Sequence, residues 1–385
     1  MSEVVVEKGI HNLPVELLDL ICDYLAADDL PNVRATCRGL NNATLERFGR
    51  KFFVESTVTL NPSSLDRLRR LSVSPFAYWV QSLTISTTRM FDQTCSQVVK
   101  APYYYRCDDM MDRSRGRGRG RGRGRWDEGE SRDRQLRIEK NKAVKDVLAT
   151  TETGIAYVTH AMARFPNLRS VSIDDDLPWT RCGHLGCGWG YGLDEQEKFE
   201  ARHRAFLVIL IASAKSGVPL ECMCFGSVPS EYPGLSPPPH PDLMRLLPFD
   251  SVKELELSVS RSSVYSYSSR DGPGWICGKP LGDFVAFFPH LRHLALITDL
   301  DWDLTGFFDN LYRPNLSVLQ IRWGKCLSGA LQNLLRRHKD TLRVVSLSRL
   351  TVTRPLWEEI ADQIDDEMSL DSVELVDCRD NRGGF

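Results

Sequence analysis

Leu291-Arg292-His293-Leu294-Ala295-Leu296 and, a little further on, Leu316-Ser317-Val318-Leu319-Gln320-Ile321 share one spacing, with apolar residues at the first, fourth and sixth places. Leu342-Arg343-Val344-Val345-Ser346-Leu347 and Leu370-Asp371-Ser372-Val373-Glu374-Leu375 repeat it, at intervals of 25, 26 and 28 residues. In an extended chain the last two apolar places of each hexad point the same way, and the residue between them points the other way. The pattern also stands upstream, at looser intervals, in Val80–Ile85, Leu168–Ile173, Leu220–Phe225 and Val252–Leu257. One match would mean little in a leucine-rich chain; eight, four of them near-regular, make chance a poor explanation.

What precedes several of these hexads repeats as well. Phe165-Pro166-Asn167-Leu168, Phe288-Pro289-His290-Leu291 and Pro314-Asn315-Leu316 each follow an amphipathic stretch. Proline ends a helix, and the residue before it disfavours the helical region, so the chain there turns into a strand. Ile155, Val158, Ala161 and Met162 before one strand, and Leu331, Leu334 and Leu335 before another, carry helical spacing. The intervals lie within the roughly 20–29 residues of leucine-rich repeats. One strand–helix unit cannot bury its own apolar face, so such units stack into a solenoid. The fold class expected is therefore α/β, a solenoid of parallel strands and helices over 56–380 behind a mostly α N-terminus. Its repeats are degenerate, because the Asn or Cys usual after the strand is mostly missing. Outward-facing residues near the end of one hexad, Gln320 with Arg322 and Trp323 just beyond, are the candidate substrate contacts.

The interval of 88 residues between the Val80 and Leu168 hexads implies an insertion. Its centre is a run of alternating Arg and Gly ending at Arg125, with seven arginines from Arg113 onward. It has nothing apolar to bury, so a disordered insertion is expected over 106–134. Arginine with Tyr103, Tyr104, Tyr105 and Trp126 close by could stack on RNA. The formal net charge of -2 for the chain favours a plain solvated loop instead.

The rest of the chain narrows the function class. No segment reaches the roughly 18 apolar residues of a membrane span. The start, Met1-Ser2-Glu3 followed by Val4-Val5-Val6, has no basic region and no long apolar one, so no secretory signal is expected. Eleven scattered cysteines then read as reduced thiols, and the expected location is cytoplasm, nucleus or both. Cys182, His184 and Cys187 sit together in a glycine-rich loop, but zinc takes four ligands and paired C-x-x-C spacing is missing, so no metal site is assigned. Phosphate-binding, nucleophile-elbow and zinc-protease motifs are absent. No catalytic residue and no cofactor are assigned; the chain reads as a binding protein.

The N-terminus, from 10 to about 55, has a different texture. Leu13-Pro14-Val15-Glu16 opens a helix, with Asn12 or a neighbour as cap and proline in the first turn. Leu17, Ile21 and Leu25 recur at helical spacing beside Leu18 and Cys22; Asp28 can cap a second helix with Leu30, Val33 and Cys37, ended by Gly39 and Asn41-Asn42. A third helix follows from Thr44 towards Phe53. Three helices this short sit near the lower limit for folding alone and lean on a neighbour or partner.

This stretch resembles the F-box. Leu13-Pro14-Val15-Glu16, the apolar helix to Tyr24-Leu25, the polar break at Ala27-Asp28, Asp29-Leu30 and Cys37-Arg38 stand in the family's order. Pro31, Thr36 and Leu40 depart from its usual residues. The resemblance implies a non-catalytic subunit of an SCF-type ubiquitin ligase, whose F-box docks on a Skp-type adaptor that joins a cullin scaffold. It implies adaptor contacts at Leu13, Pro14, Leu17, Ile21, Leu25 and Leu30, with an unknown protein substrate held by the repeats. Ile21 and Leu30 could equally fill the module's interior. The competing reading is a scaffold without ligase function, with RNA binding through the Arg-Gly loop as its variant.

Overall fold

The computed structural model describes residues 10, 13–26, 28–87, 151–174, 195–226, 249–259, 279–298, 302–353 and 357–380. The expected insertion over 106–134, the Cys182–Cys187 loop and the candidate cap Asn12 lie outside them.

Among the described residues ten strands form one sheet in which every pairing is parallel. They are β1 (Glu55–Val58), β2 (Ser82–Ser86), β3 (Ser170–Asp174), β4 (Cys222–Phe225), β5 (Glu254–Ser258), β6 (His293–Ile297), β7 (Val318–Leu327), β8 (Val344–Thr353), β9 (Ser372–Val376) and β10 (Arg379–Asp380). Up to β8 each strand pairs with the next in sequence; β8 then carries β9 on its first half and β10 on its second. That order is a solenoid, built by adding one unit at a time. Helices connect the strands: α5 (Pro62–Ser72), α6 (151–162), α7 (Glu195–Ser216), α8 (Lys279–Val285), α9 (Thr305–Asn310), α10 (Ser328–Arg337) and α11 (Trp357–Glu367).

The hexads supply the register. Leu83, Val171, Met223, Leu255, Leu294, Leu319 and Val345 pair one to the next across seven strands, and all are buried. Ile85, Ile173, Phe225, Leu257, Leu296, Ile321 and Leu347 form a second buried column, two residues along. The first places, from Val80 to Leu342, are buried too. Phe165 and Phe288, which open two of the Pro-x-Leu turns, are sealed beneath the helices. A slip of one residue would turn both columns into water, so apolar burial pins the pairing.

Backbone hydrogen bonds lock the same register at the mouth of each strand. Two consecutive N–H groups donate to one carbonyl of the preceding unit: Gln81 and Ser82 to Val54, Arg169 and Ser170 to Gln81, and so on to Asp371 and Ser372 on Arg343. Val54 heads this ladder, so β1 is a full member of it. No hexad announced β1, because Ser56 stands where the others carry an apolar residue. At the other end β9 keeps the register, yet Val373 and Leu375 are 43% and 39% exposed. Both lie in the inward columns, and among the described residues no further unit covers them.

The N-terminal module has four helices where three are expected: α1 (Val15–Asp23), α2 (Asp29–Thr36), α3 (Arg38–Ala43) and α4 (Leu45–Phe52). The extended backbone of Cys37 ends α2, and its Sγ accepts from the N–H of Leu40 to start α3. Gly39, Asn41 and Asn42 are therefore inside a helix and terminate nothing. The reason is packing: buried Leu40 and the Thr44 hydroxyl, which donates to the Leu40 carbonyl at 2.7 Å, hold this turn in the module's interior. Asp28 occupies the N-cap position of α2 without a side-chain cap bond, and Pro14 stands at that of α1.

Candidate functional site

Two surfaces carry residues that the sequence singles out. The first is α1. Leu18 and Cys22, four apart, face inward with Leu30 and Leu40. Beside that face Leu13, Leu17, Leu20, Ile21 and Tyr24 lie in water, Leu17 at 47% exposure and Tyr24 at 85%. A helix of a self-contained domain is apolar on one stripe; α1 is apolar on two. Contiguous exposed apolar residues of this kind mark interaction surfaces. Of the six residues that the resemblance points to, Leu13, Pro14, Leu17 and Ile21 are outward, Leu25 is half-buried and Leu30 is sealed at 1% exposure. Leu30, at the start of α2, is part of the interior and offers no surface; Ile21 is on the outer side.

The module is fixed to the solenoid by a junction that the sequence reading overlooked. Phe53 stacks on Phe76 at 4.5 Å and 11°, and Phe48 meets Phe76 at 5.5 Å. Arg34 of α2 lies over the Phe48 ring at 4.3 Å, a cation–π contact. The Trp79 indole donates to the carbonyl of Glu46 at 3.0 Å and fills the space beside Gly49 of α4. A Cβ built on Gly49 would coincide with the indole ring. Gly49 is thus glycine because a ring occupies its side-chain space. Arg47 pairs with Asp23, tying the end of α1 to α4.

The second surface is the outer edge of β7 and β8. Gln320 is exposed, while Arg322 and Trp323 are half-buried. Both strands kink midway: pairing runs through Arg322↔Ser348, skips one residue on each strand and resumes at Gly324↔Leu350. The skipped residues are Trp323, with φ of 67°, and Arg349, with φ of 55°. Asp377, at the corresponding place between β9 and β10, has φ of 53°. Left-handed backbone is uncommon outside glycine, and for bulky Trp and Arg it is strained. The Trp323 carbonyl accepts from the Thr298 hydroxyl at 2.8 Å, and Gly324 (φ 129°) passes so close to Leu304 that a Cβ would press on it at 2.7 Å. The kink is therefore held from beneath. Side chains on it stack: Arg322 lies over the Trp323 ring at 4.6 Å, Arg349 approaches the same ring at 6.0 Å, and Arg349 meets the Asp377 carboxylate at 3.6 Å.

Cys326 is buried and its thiol is pushed well above the ordinary range, chiefly by desolvation. Burial also raises Cys222, whose neighbour Cys224 donates to Glu256 at 3.3 Å. Raised thiols are poor nucleophiles and poor metal ligands. Among the described residues no group of three or more His, Cys, Asp or Glu could hold a metal, and no helix is long and apolar enough to cross a membrane.

No protein-family model matches this chain, and no curated protein matches it in sequence. Among solved structures it is similar to the crystal structure of the yeast Rad7 and Elc1 complex, at 13% identity and a TM-score of 0.30, over 96% of this chain and 88% of that one.

Proposed function

We propose that this chain is the substrate-recognition subunit of a cullin-RING ubiquitin ligase of the SCF type. Its N-terminal helices dock on a Skp-type adaptor, and its solenoid holds the protein to be modified. The observation that carries this reading is the double-sided α1: Leu18 and Cys22 complete the module's own interior, while Leu13, Leu17, Ile21 and Tyr24 remain in water. A helix with an apolar face left over suits a groove on another protein. The order of F-box residues from Leu13-Pro14 to Cys37-Arg38 says which kind of groove. Such a subunit is not an enzyme. It raises the effective concentration of substrate lysines near a charged conjugating enzyme.

The adaptor contacts assigned are Leu13, Pro14, Leu17 and Ile21, with Leu25 at the rim. Leu30 holds the module together from inside. Co-purification from cells tests this. Adaptor and cullin come down with the unaltered chain and are lost with Leu13→Ala/Pro14→Ala, while the fold, read by circular dichroism, is kept. Failure of both components to appear with the unaltered chain would overturn the ligase reading in favour of a plain scaffold. RNA capture that vanishes on deleting residues 113–125 would give that scaffold its RNA-binding variant.

A further inference from the structure

The geometry points to a carboxylate-binding site at the kink of β7 and β8, formed by Arg322, Trp323 and Arg349, that takes an acidic segment of the bound protein. This names the class of target for the solenoid and rests on the reading of the solenoid as the substrate-holding part.

Three observations converge. The first is backbone strain. Trp323, Arg349 and Asp377 occupy the same left-handed position of successive units, where glycine would sit without cost. Large side chains kept at such positions indicate use of the side chain itself. The second is the charge arrangement. Two guanidinium groups lie against one indole, at 4.6 and 6.0 Å, and Arg322 has no carboxylate partner among the described residues. Arginine stacked on an aromatic face keeps its N–H fork free in the ring plane, which suits two-point binding of a carboxylate. The third is the state of Arg349. Among the described residues its acidic partner is Asp377, at 3.6 Å, and both side chains are about half exposed, at 52% and 55%. That distance is too long for a well-made hydrogen bond. Asp377 is a weak internal stand-in for a stronger external carboxylate. Gln320 on the same strand, exposed, adds an amide for the backbone of an extended segment.

Fluorescence anisotropy on the full chain tests the site, with labelled ten-residue probes: alternating Asp-Glu, its Asn-Gln counterpart, and an alternating phosphoserine-glycine peptide. The Asp-Glu probe is expected to bind and to weaken with added salt, and the Asn-Gln probe is expected not to bind. Arg322→Ala and Trp323→Gly each weaken the Asp-Glu probe about tenfold or more. Asp377→Asn strengthens it, because the internal competitor is gone. Arg70→Ala, on α5 and 76% exposed, leaves it unchanged. Trp323→Gly also removes strain, so its melting temperature should hold or rise; a purely structural tryptophan would show a fall. Equal binding of the Asp-Glu and Asn-Gln probes, or unchanged binding in Trp323→Gly, would overturn the site. Binding of the phosphoserine probe alone would overturn carboxylate as its ligand. The adaptor test is separate. Leu13→Ala/Pro14→Ala must keep the acidic probe bound while losing the adaptor; an unaltered chain that binds the probe but captures no adaptor would sink the ligase reading and leave this site standing.

Discussion

The N-terminal helices and the solenoid handle apolar side chains in opposite ways. Through units two to seven the solenoid encloses every inward residue of its strands, because each unit is roofed by the next. In α1 the helix is nine residues long, and Leu17, Leu20 and Ile21 of those nine are left in water. The first arrangement is complete by itself; the second is half of something. A repeat array can extend its own core by adding units, whereas a module this small cannot seat both faces of its leading helix. The exposed Val373 and Leu375 in β9 make the same point within the solenoid: an unroofed last unit behaves like α1.

This contrast is open to direct attack. Leu294→Ala, in the middle of the solenoid's buried column, should cost about 2–5 kcal/mol in denaturant unfolding. A much smaller loss would mean that the column is not close-packed. Gly49→Ala should cost about 1–3 kcal/mol through overpacking against Trp79. It should also reduce adaptor capture although it touches no adaptor contact, with partial rescue by Trp79→Ala. If Gly49→Ala melts like the unaltered chain, the junction is loose and the two regions are independent.

A third test is pH. Buried His338 accepts the Arg313 N–H on Nε2 at 3.1 Å, so Nδ1 carries the proton and donates to the Leu334 carbonyl at 3.0 Å. Burial, with Arg337 and Arg313 nearby, holds its pKa below the ordinary 6.5. Burial lowers His203 as well. A folded-state pKa below the unfolded one means that the unfolded chain takes up protons first. Stability is then full above about 6.5 and falls as pH drops through that value towards the folded pKa. Melting curves between neutral and mildly acidic pH should show this slope, and His338→Gln should flatten it. The smallest effect on stability belongs to Leu17→Ala, expected within about 0.5 kcal/mol because the side chain is exposed. Its loss of adaptor capture should nonetheless be large, and a substantial drop in stability would show that Leu17 is a core residue after all.

The hexads from Val80 to Leu370 were legible because an i, i+3, i+5 pattern survives any change in the loops between strands. β1 was not, since Ser56 removes the middle apolar place, and only the ladder from Val54 identifies it. The junction was hidden for another reason: Gly49 and Trp79 are thirty residues apart, and nothing local says that a ring fills a glycine's side-chain space. Arg349 and Asp377 went unnoticed beside Trp323, because three dissimilar residues share only a backbone conformation.

What the amino-acid order determined alone is the repeat: strand spacing, the turns into the strands and the side of each strand that is apolar. Those follow from neighbours along the chain. The tertiary structure decided which of two apolar faces of α1 turns inward, that Leu30 is enclosed, that α3 is separate from α2, and that the kinks of β7 and β8 lie in register. Each of these depends on what lies across from a residue in space, where side-chain volume and backbone pairing choose between arrangements that local periodicity allows equally.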